Sequence, residues 1–331
     1  MLRIAQLIAC FGVIVFSHSV IAWGPTGHMT VGTIADQMIA GTNAGKQVKK
    51  LLGSNLRTAS VWADCAKGVS ESTLQYGGDG RFPECAIYEN DASKKQMVAF
   101  VKRNLTNCNP GPKDERCHRQ YHYTDVAIQR DKYAKNFVGT SDHDIVSTIS
   151  AAIAVLEGGT APAPIRIVGK KEALRLLAHY LGDIHQPLHV TAVYLDTNGK
   201  VVDPDQGTFD PATTTKGGND ILDKAKKLHG EWDAVPDSLS SDNLLPAALV
   251  EARAVPQTPG AMSMWSTVWA TETLVDGKIA FKDLTYSPED AAHHYKVTFP
   301  PGYNADKAAL QRQQIIRAGA RLAQILTTIW P

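Results

Sequence analysis

Apolar residues recur at helical spacing along most of the chain. Positions three and four apart share one face of a helix, so this spacing predicts amphipathic helices. Seven segments carry the pattern: Thr30–Ala40, Ser93–Leu105, Asp144–Leu156, Lys171–His185, Asp220–Leu228, Leu244–Ala254 and Ala308–Ile329. Strict alternation of apolar and polar positions, which is typical of half-buried strands, is scarce. The sequence therefore predicts a mostly α fold with little β structure.

Segments rich in Gly, Pro, Asp and Thr separate these patterns, and they predict long loops. The loops are expected over Gly77–Glu84, Gly158–Pro164 and Thr197–Gly218. No linker-like stretch divides the chain, and 44% of its 331 residues are apolar, which is enough for a large core. We expect a single domain over residues 23–331.

The first 22 residues have the features of a secretory signal peptide. Arg3 supplies one positive charge, an apolar stretch runs from Ile4 to Phe16, and small residues precede position 23. The apolar stretch is shorter than the ~20 residues of a membrane span. Lipid attachment at Cys10 is disfavoured because Cys10 precedes most of the apolar region. We expect cleavage after Ala22 and a secreted or periplasmic protein.

The charge balance limits how a polyanion could be attracted. The full chain has 34 Lys and Arg against 33 Asp and Glu, and loss of Arg3 with the leader makes the formal net charge zero. Any attraction for nucleic acid must therefore come from local sites, such as bound cations, rather than from the whole surface.

Four cysteines remain after the leader, an even number in a chain expected to be exported. Two disulfides are then the default, with three possible pairings. Because each closes a local loop rich in Gly, Pro or Asn, we favour the pairs Cys65–Cys85 and Cys108–Cys117. A zinc site built from cysteines is disfavoured, since no C-x-x-C pair exists.

Two His-x-x-x-Asp pairs carry the strongest chemical signal. His179 and Asp183 form the first pair, and His229 and Asp233 form the second. Residues four apart on a helix project side by side, and imidazole with carboxylate is a typical zinc ligand set. One such pair is more often an ordinary polar pair, but two of them with a third histidine, His189, favour a metal site.

Pro187 separates His189 from the first pair. Proline ends or bends a helix, so we expect His189 to turn toward a different metal from the one that His179 serves. One segment can then contribute to two sites.

The segment A-H-Y-L-G-D-I-H-Q-P-L-H, residues 178–189, resembles the central signature of the S1/P1 nuclease family, whose fold is shared with bacterial zinc phospholipases C. Further matches follow in chain order: Trp23-Gly-Pro-Thr-Gly-His28, Trp62-Ala-Asp64, His122-Tyr-Thr-Asp125, Gly217-Gly-Asn219 and Leu228-His229-x-x-Trp-Asp233. Beyond residue 233 the chain matches as generic helix. The resemblance implies a multi-helix bundle of the phospholipase C/P1 nuclease type.

The resemblance also implies three zinc ions as cofactors. The first would be held by Asp64, His122, His179 and Asp183. The second would be held by His189, His229 and Asp233. The third would be held by His28, by Asp183 as a bridging ligand, and by the α-amino nitrogen and carbonyl oxygen of Trp23. The Trp23 amine exists only after signal-peptide cleavage, so cleavage would complete the site.

A zinc cluster of this kind suits phosphodiester hydrolysis. Zinc lowers the pKa of water to roughly 7 and neutralises charge at phosphorus. Asp64 is expected to orient or deprotonate the attacking water, leaving 5′-phosphorylated products. Lys67 stands where the family commonly has an arginine, which keeps the charge but loses the bidentate fork.

Single-stranded DNA and RNA are the substrates that the resemblance implies. Tyr123 and Asp125 match the residues that stack on a base and hydrogen-bond it, and Asn219 matches a substrate contact near the phosphate. Stacking on an aromatic ring is worth ~1–3 kcal/mol per base, tolerates any base and requires an unstacked strand. The resemblance does not decide whether the protein also has 3′-nucleotidase activity.

Two other functions remain open at this point. A zinc phospholipase C would use the same metal set on a phospholipid headgroup ester. A non-catalytic zinc-stabilised binding protein would need a cluster with no open coordination position. No stable protein partner is implied, and a monomer is expected. The remaining histidines match no motif position and are expected to be structural: His118, His143, His185, His293 and His294.

Overall fold

Helices make up most of the structure. A computed structural model describes residues 23–108, 115–236, 239 and 246–331; the expected signal peptide, residues 1–22, lies outside the described residues. The described helices are α1 Pro25–Met38, α2 Asn43–Leu52, α3 Leu56–Ala59, α4 Trp62–Ala66, α5 Asp91–Arg103, α6 Cys117–Gln120, α7 Ile145–Leu156, α8 Gly169–Asp183, α9 Leu228–Trp232, α10 Pro246–Ala254, α11 Trp265–Gly277 and α12 Tyr303–Ile329. Short 3₁₀ turns include Pro83–Tyr88 and Pro187–His189. The predicted mostly α fold is confirmed.

The strands are short and lie between the helices. They are β1 Val126–Ala127, β2 Thr191–Ala192, β3 Tyr194–Leu195, β4 Val201–Val202, β5 Ile221–Asp223, β6 Lys226–Lys227, β7 Thr285–Tyr286 and β8 Tyr295–Thr298. β1 pairs with β2 in parallel, β3 pairs with β4, and the other four form a sheet in the order β6-β5-β8-β7. No described helix is long and apolar enough to cross a membrane.

Six of the seven predicted helical segments coincide largely with observed helices, whereas the segment Asp220–Leu228 shares only Leu228 with α9. That segment forms β5 and β6, joined by a turn in which Lys224 has a φ of +55°. β5 also pairs in parallel with β8, some seventy residues later in the chain. Because this partner is remote in sequence, the local apolar pattern gave the wrong element. The helices α2 and α11 and the short helices α3, α4 and α6 were not predicted.

Helix α8 lies at the centre of the main apolar core. Every residue from Ala173 to Asp183 is buried, and the helix packs against α7, α1 and α12. A helix that is buried on all sides is normally apolar throughout. His179 and Asp183 are therefore unusual, because they are ionisable residues on a helix that is buried on all sides.

Two glycines bring α1 close to its neighbours. A Cβ added at Gly32 would lie 2.6 Å from the backbone Cα and N of Arg57, beside α3, and one at Gly319 of α12 would lie 2.6 Å from the Cβ of Ile34. No side chain fits at either crossing. The position of α1, which carries His28, is set by these contacts.

The structure forms both predicted disulfides. Cys65 is bonded to Cys85 with their Cα atoms 5.6 Å apart, and Cys108 to Cys117 with 5.7 Å. The first bond links α4, a helix of five residues, to the 3₁₀ turn at Pro83–Tyr88. It therefore anchors the short helix that carries Asp64.

Replacing Gly32 by alanine is expected to destabilise the protein. The new methyl would meet the backbone of Arg57, which cannot rotate away, and overpacking of this kind costs about 1–3 kcal/mol. Gly230→Ala in α9 is the matched control, since nothing lies within 4 Å of its Cβ position, and it should be neutral or stabilising by up to ~1 kcal/mol. Urea denaturation of both variants measures the difference, and equal midpoints would contradict the α1–α3 contact.

Candidate metal centre

The predicted pair on α8 lies side by side in the core. Nε2 of His179 is 3.1 Å from Oδ2 of Asp183, and both side chains are fully buried. Isolated charges are costly in an apolar interior unless they are paired or bind a metal. The pair therefore requires further polar partners or a metal ion in its surroundings.

Two further side chains converge on the pair from other parts of the chain. Nδ1 of His122 lies 2.9 Å from Oδ2 of Asp183 and 3.1 Å from Nε2 of His179. Oδ1 of Asp64 is 3.6 Å from His179 Nε2 and 3.8 Å from His122 Nδ1. Donor atoms bound to one tetrahedral zinc are about 3.3 Å apart. The spacing of these four atoms is of that order.

The second carboxylate oxygen of Asp183 faces a different histidine. Oδ1 lies 3.2 Å from Nε2 of His28, and both atoms are buried without a hydrogen bond among the described residues. Trp23 is fully buried beside them, and its indole Nε1 donates to the carbonyl oxygen of Gly182 at 2.8 Å. Gly182 is required here, because a Cβ would lie 2.7 Å from Nδ1 of His28.

A second polar group forms where the chain turns after α8. The 3₁₀ turn at Pro187 directs His189 to His229, with 3.1 Å between their Nε2 atoms. Oδ1 of Asp233 lies 3.9 Å from Nε2 of His229, and all three side chains are buried. His189 is thus grouped with the second His-x-x-x-Asp pair and not with His179.

Backbone carbonyls set the tautomers of three of these histidines. The Nδ1–H groups of His179, His189 and His229 donate to the carbonyl oxygens of Ser60, His122 and Gly217, at 2.6, 2.7 and 2.7 Å. Each Nε2 is then left with a lone pair, as in histidines that bind metals.

The hydrogen bonds at Nδ1 leave the Nε2 atoms of His189 and His229 in an arrangement that fits a bound metal ion. At 3.1 Å the lone pairs of His189 and His229 face each other, which is repulsive unless a cation lies between them and the carboxylate. Buried atoms of His28 and Asp183 also lack hydrogen-bond partners in the described part of the chain. Imidazole and carboxylate donors suit zinc, so these residues could hold metal ions.

The electrostatics differ between the two groups. Burial opposes ionisation of Asp183, but His179, His189 and His28 nevertheless hold its pKa well below its usual value. Burial raises the pKa of Asp233 well above the ordinary range. Burial, with His189 nearby, lowers the pKa of His229 to about 3. The imidazole is therefore held in the neutral form that a metal requires.

The S1/P1 nuclease family model matches residues 23–331. The chain belongs to the S1/P1 nuclease family. A comparison with curated proteins returned no match. Membership indicates a metal-dependent hydrolase that acts on the phosphodiester bonds of nucleic acid, in agreement with the His and Asp groups described above.

The predicted base-contact residues flank a backbone hydrogen bond to His189, in the second polar group. The backbone N of Thr124, between Tyr123 and Asp125, donates to the carbonyl oxygen of His189 at 2.8 Å. The parallel pairing of β1 with β2 continues this contact. Both segments therefore leave the metal centre together.

The loop before Asn219 closes the same region. Lys216, Gly217 and Gly218 have positive φ values, and a Cβ at Gly217 would lie 3.2 Å from Oδ1 of Asp125. Nδ2 of Asn219 donates to the carbonyl oxygen of Lys216 at 2.9 Å, and its Oδ1 is buried without a partner among the described residues. Asp125 and the loop thus approach each other closely.

Lys67 lies beside Asp64 at the edge of the centre. Its Nζ is 2.8 Å from Oδ1 of Asp64, three residues earlier, and its side chain is 19% exposed. Lys67 and His179 hold the pKa of Asp64 below its usual value, against the opposing effect of burial. The ammonium group is therefore within reach of a ligand at Asp64.

Sequence reasoning missed one buried partner of the site. Nε2 of Gln186 donates to Oδ1 of Asp233 at 2.8 Å, and its Oε1 accepts from the backbone N of Leu188. One side chain therefore joins Asp233 to the turn that places His189. Its position within the H-Q-P-L-H motif was the available signal. The Ser60 carbonyl, by contrast, gives no sequence signal at all.

Gln186→Met should destabilise the protein by about 1–3 kcal/mol. Methionine keeps the length of the side chain but leaves the buried carboxyl group of Asp233 and the N–H of Leu188 without their partner. Gln206→Met at an exposed position is the control, with a change expected within ~0.5 kcal/mol. Urea denaturation measures both, and equal stability of the two variants would show that Gln186 is not a structural link.

Proposed function

We propose that the mature chain is an exported phosphodiesterase with three zinc ions, and that it cleaves single-stranded DNA and RNA to 5′-phosphorylated products. The observation that carries the proposal is the environment of Asp183. Its two carboxylate oxygens face two different histidine groups, with His179 and His122 on one side and His28 on the other. One carboxylate placed in this way can serve two adjacent metals.

The proposed ligands follow the three groups. Asp64, His122, His179 and Asp183 would hold one zinc, and His189, His229 and Asp233 would hold another. His28, Asp183 and the terminal amine and carbonyl of Trp23 would hold the third. The complete burial of Trp23 supports this last role, since an N-terminal residue is rarely enclosed without a reason.

The zinc ions would supply Lewis-acid chemistry, by acidifying water and neutralising charge at phosphorus. Asp64, whose pKa is held low, stays ionised and can orient the attacking water or accept its proton. Lys67, 2.8 Å from Asp64, can donate to a phosphate oxygen and stabilise the charge that develops there. Its point charge lacks the bidentate geometry of arginine.

Substrate choice is assigned to the base-contact side of the centre. Tyr123 would stack on a base exposed by an unpaired strand, and Asp125 would accept a hydrogen bond from it. The buried, unpartnered Oδ1 of Asn219 supports a ligand contact there. Stacking tolerates every base, so cleavage of both DNA and RNA with weak sequence preference is expected.

Asp183→Asn should abolish hydrolysis and remove metal. An amide is a weaker ligand than a carboxylate, so both metals that share Asp183 lose affinity. We expect the metal content to fall from about three to about one per chain, and the rate on single-stranded DNA to fall at least ~100-fold. Asp283→Asn is the control, because Asp283 is exposed and has a left-handed φ of +57° that asparagine tolerates.

Elemental analysis and rates on single-stranded DNA, RNA and phosphatidylcholine measure the outcome. Three metals with full turnover in Asp183→Asn would exclude the bridging role. If the unchanged protein cleaves phosphatidylcholine but neither DNA nor RNA, its function is that of a phospholipase and not that of a nuclease.

An alanine added before Trp23 should lower the metal content by one ion per chain. The added residue converts the terminal amine into an amide, which cannot coordinate as an amine does. We expect about two zincs per chain instead of three and a rate lowered at least ~10-fold. The control carries the same alanine after Pro331. Equal zinc content in the two extended proteins would rule out coordination by the amine.

A further inference from the structure

A cleft of about 810 Å³ opens from the edge of the metal centre. Asp64 and Lys67 lie at one end of it, and Gly77 and Gly78 line its wall farther out. Tyr123 is not part of its lining, nor are Asp125 and Asn219. Ligand sites have volumes of about 300–1,000 Å³, so this cleft exceeds what a single phosphate needs. It reaches the centre from a side other than the base-contact side.

A second space, a groove of about 480 Å³, lies over helix α5 and shares no lining residue with the cleft. Tyr76 contributes to its floor and directly precedes the two glycines of the cleft wall, so one loop borders both spaces. Three lysines of α5 line the groove: Lys94, Lys95 and Lys102. The rest of its lining is mainly apolar or uncharged, with Asp79 as its one acidic residue. We call this surface the lysine groove.

The charges of the two spaces differ. The cleft is lined by four basic and four acidic side chains, so its formal charges balance: Lys67, Arg81, Arg116 and Arg119 against Asp64, Glu71, Glu84 and Glu115. In the lysine groove, Lys95 and Lys102 are exposed and no described acidic residue pairs with them. Uncompensated positive charge therefore lies in the groove and not in the cleft.

The third lysine of the groove, Lys94, lies close to both an aromatic ring and a carboxylate. Nζ of Lys94 lies 5.9 Å from the centre of the Tyr76 ring and 2.6 Å from Oδ1 of Asp79. Lys94 and Lys102 are eight residues apart on α5, about 12 Å along the helix axis. A duplex strand advances ~3.4 Å along its axis per phosphate and an extended single strand about twice that, so the groove is long enough for more than one phosphate.

We propose that the lysine groove binds the single-stranded substrate beyond the scissile phosphate, with Lys95 and Lys102 contacting its backbone phosphates. Lysines over an apolar and aromatic floor are the combination by which proteins hold unpaired strands without reading their sequence. Because the chain after leader removal has no formal net charge, a local patch of this kind is what the electrostatics require. The inference rests on the proposed nuclease function.

The test neutralises the two unpaired lysines in the zinc-loaded protein, as Lys95→Gln/Lys102→Gln. The matched control is Lys49→Gln/Lys50→Gln on α2, which are exposed and line neither space. Substrates are a dinucleotide, which reaches only the centre, and a 12-nucleotide strand. Cleavage kinetics are measured at several salt concentrations. Binding of a cleavage-resistant phosphorothioate 12-mer is followed by fluorescence anisotropy.

We expect the groove variant to raise the KM for the 12-mer and the Kd for the phosphorothioate strand about tenfold at low salt. Cleavage of the dinucleotide should be unchanged. The slope of log Kd against log salt should fall by about 1.4, since each phosphate contact on a single strand contributes about 0.7.

Equal KM, Kd and salt slope in the groove and control variants would overturn the proposal. A protein that cleaves neither substrate would refute the nuclease function, while the anisotropy measurement would still decide the role of the groove. The two failures are therefore distinguishable.

Discussion

The burial of ionisable side chains on helix α8 is the constraint on which the site depends. His179 and Asp183 lie within the main apolar core, where unpaired charges are unfavourable. His122, Asp64 and His28 reach them from distant parts of the chain, with donor atoms 2.9, 3.6 and 3.2 Å from the pair. The packing of α1, α4 and α8 is therefore inseparable from the arrangement of these donors. A change in any one helix position alters the distances between them.

Much of the centre could be predicted because its chemistry is local in sequence. The two His-x-x-x-Asp pairs bring their members together through helix periodicity, and Pro187 accounts for the separate placement of His189. The disulfide pairings were predictable for the same reason, since each closes a short loop. Assignment of every donor to its metal relied on family resemblance and remains a proposal.

What escaped prediction depends on contacts that are remote in sequence or that involve the backbone. The pairing of β5 with β8 overrides the local apolar pattern of residues 220–228. Carbonyl groups of Ser60 and Gly217 orient His179 and His229, and a carbonyl is the same in every residue. Gln186 was visible in the motif, but its bond to Asp233 across 47 residues was not. Such partners appear only when the fold is known.

The Cys65–Cys85 bond has a consequence for the cell that makes the protein. Helix α4 has five residues, too few to be stable alone, and this bond holds it beside the core with Asp64 in place. Disulfides form in oxidising compartments and are rare in the cytoplasm. If the chain is exported as proposed, a newly made molecule would lack this anchor of Asp64 while it is still among the cell's own messenger and ribosomal RNA. The bond would act as a safeguard for the producing cell as well as a structural link.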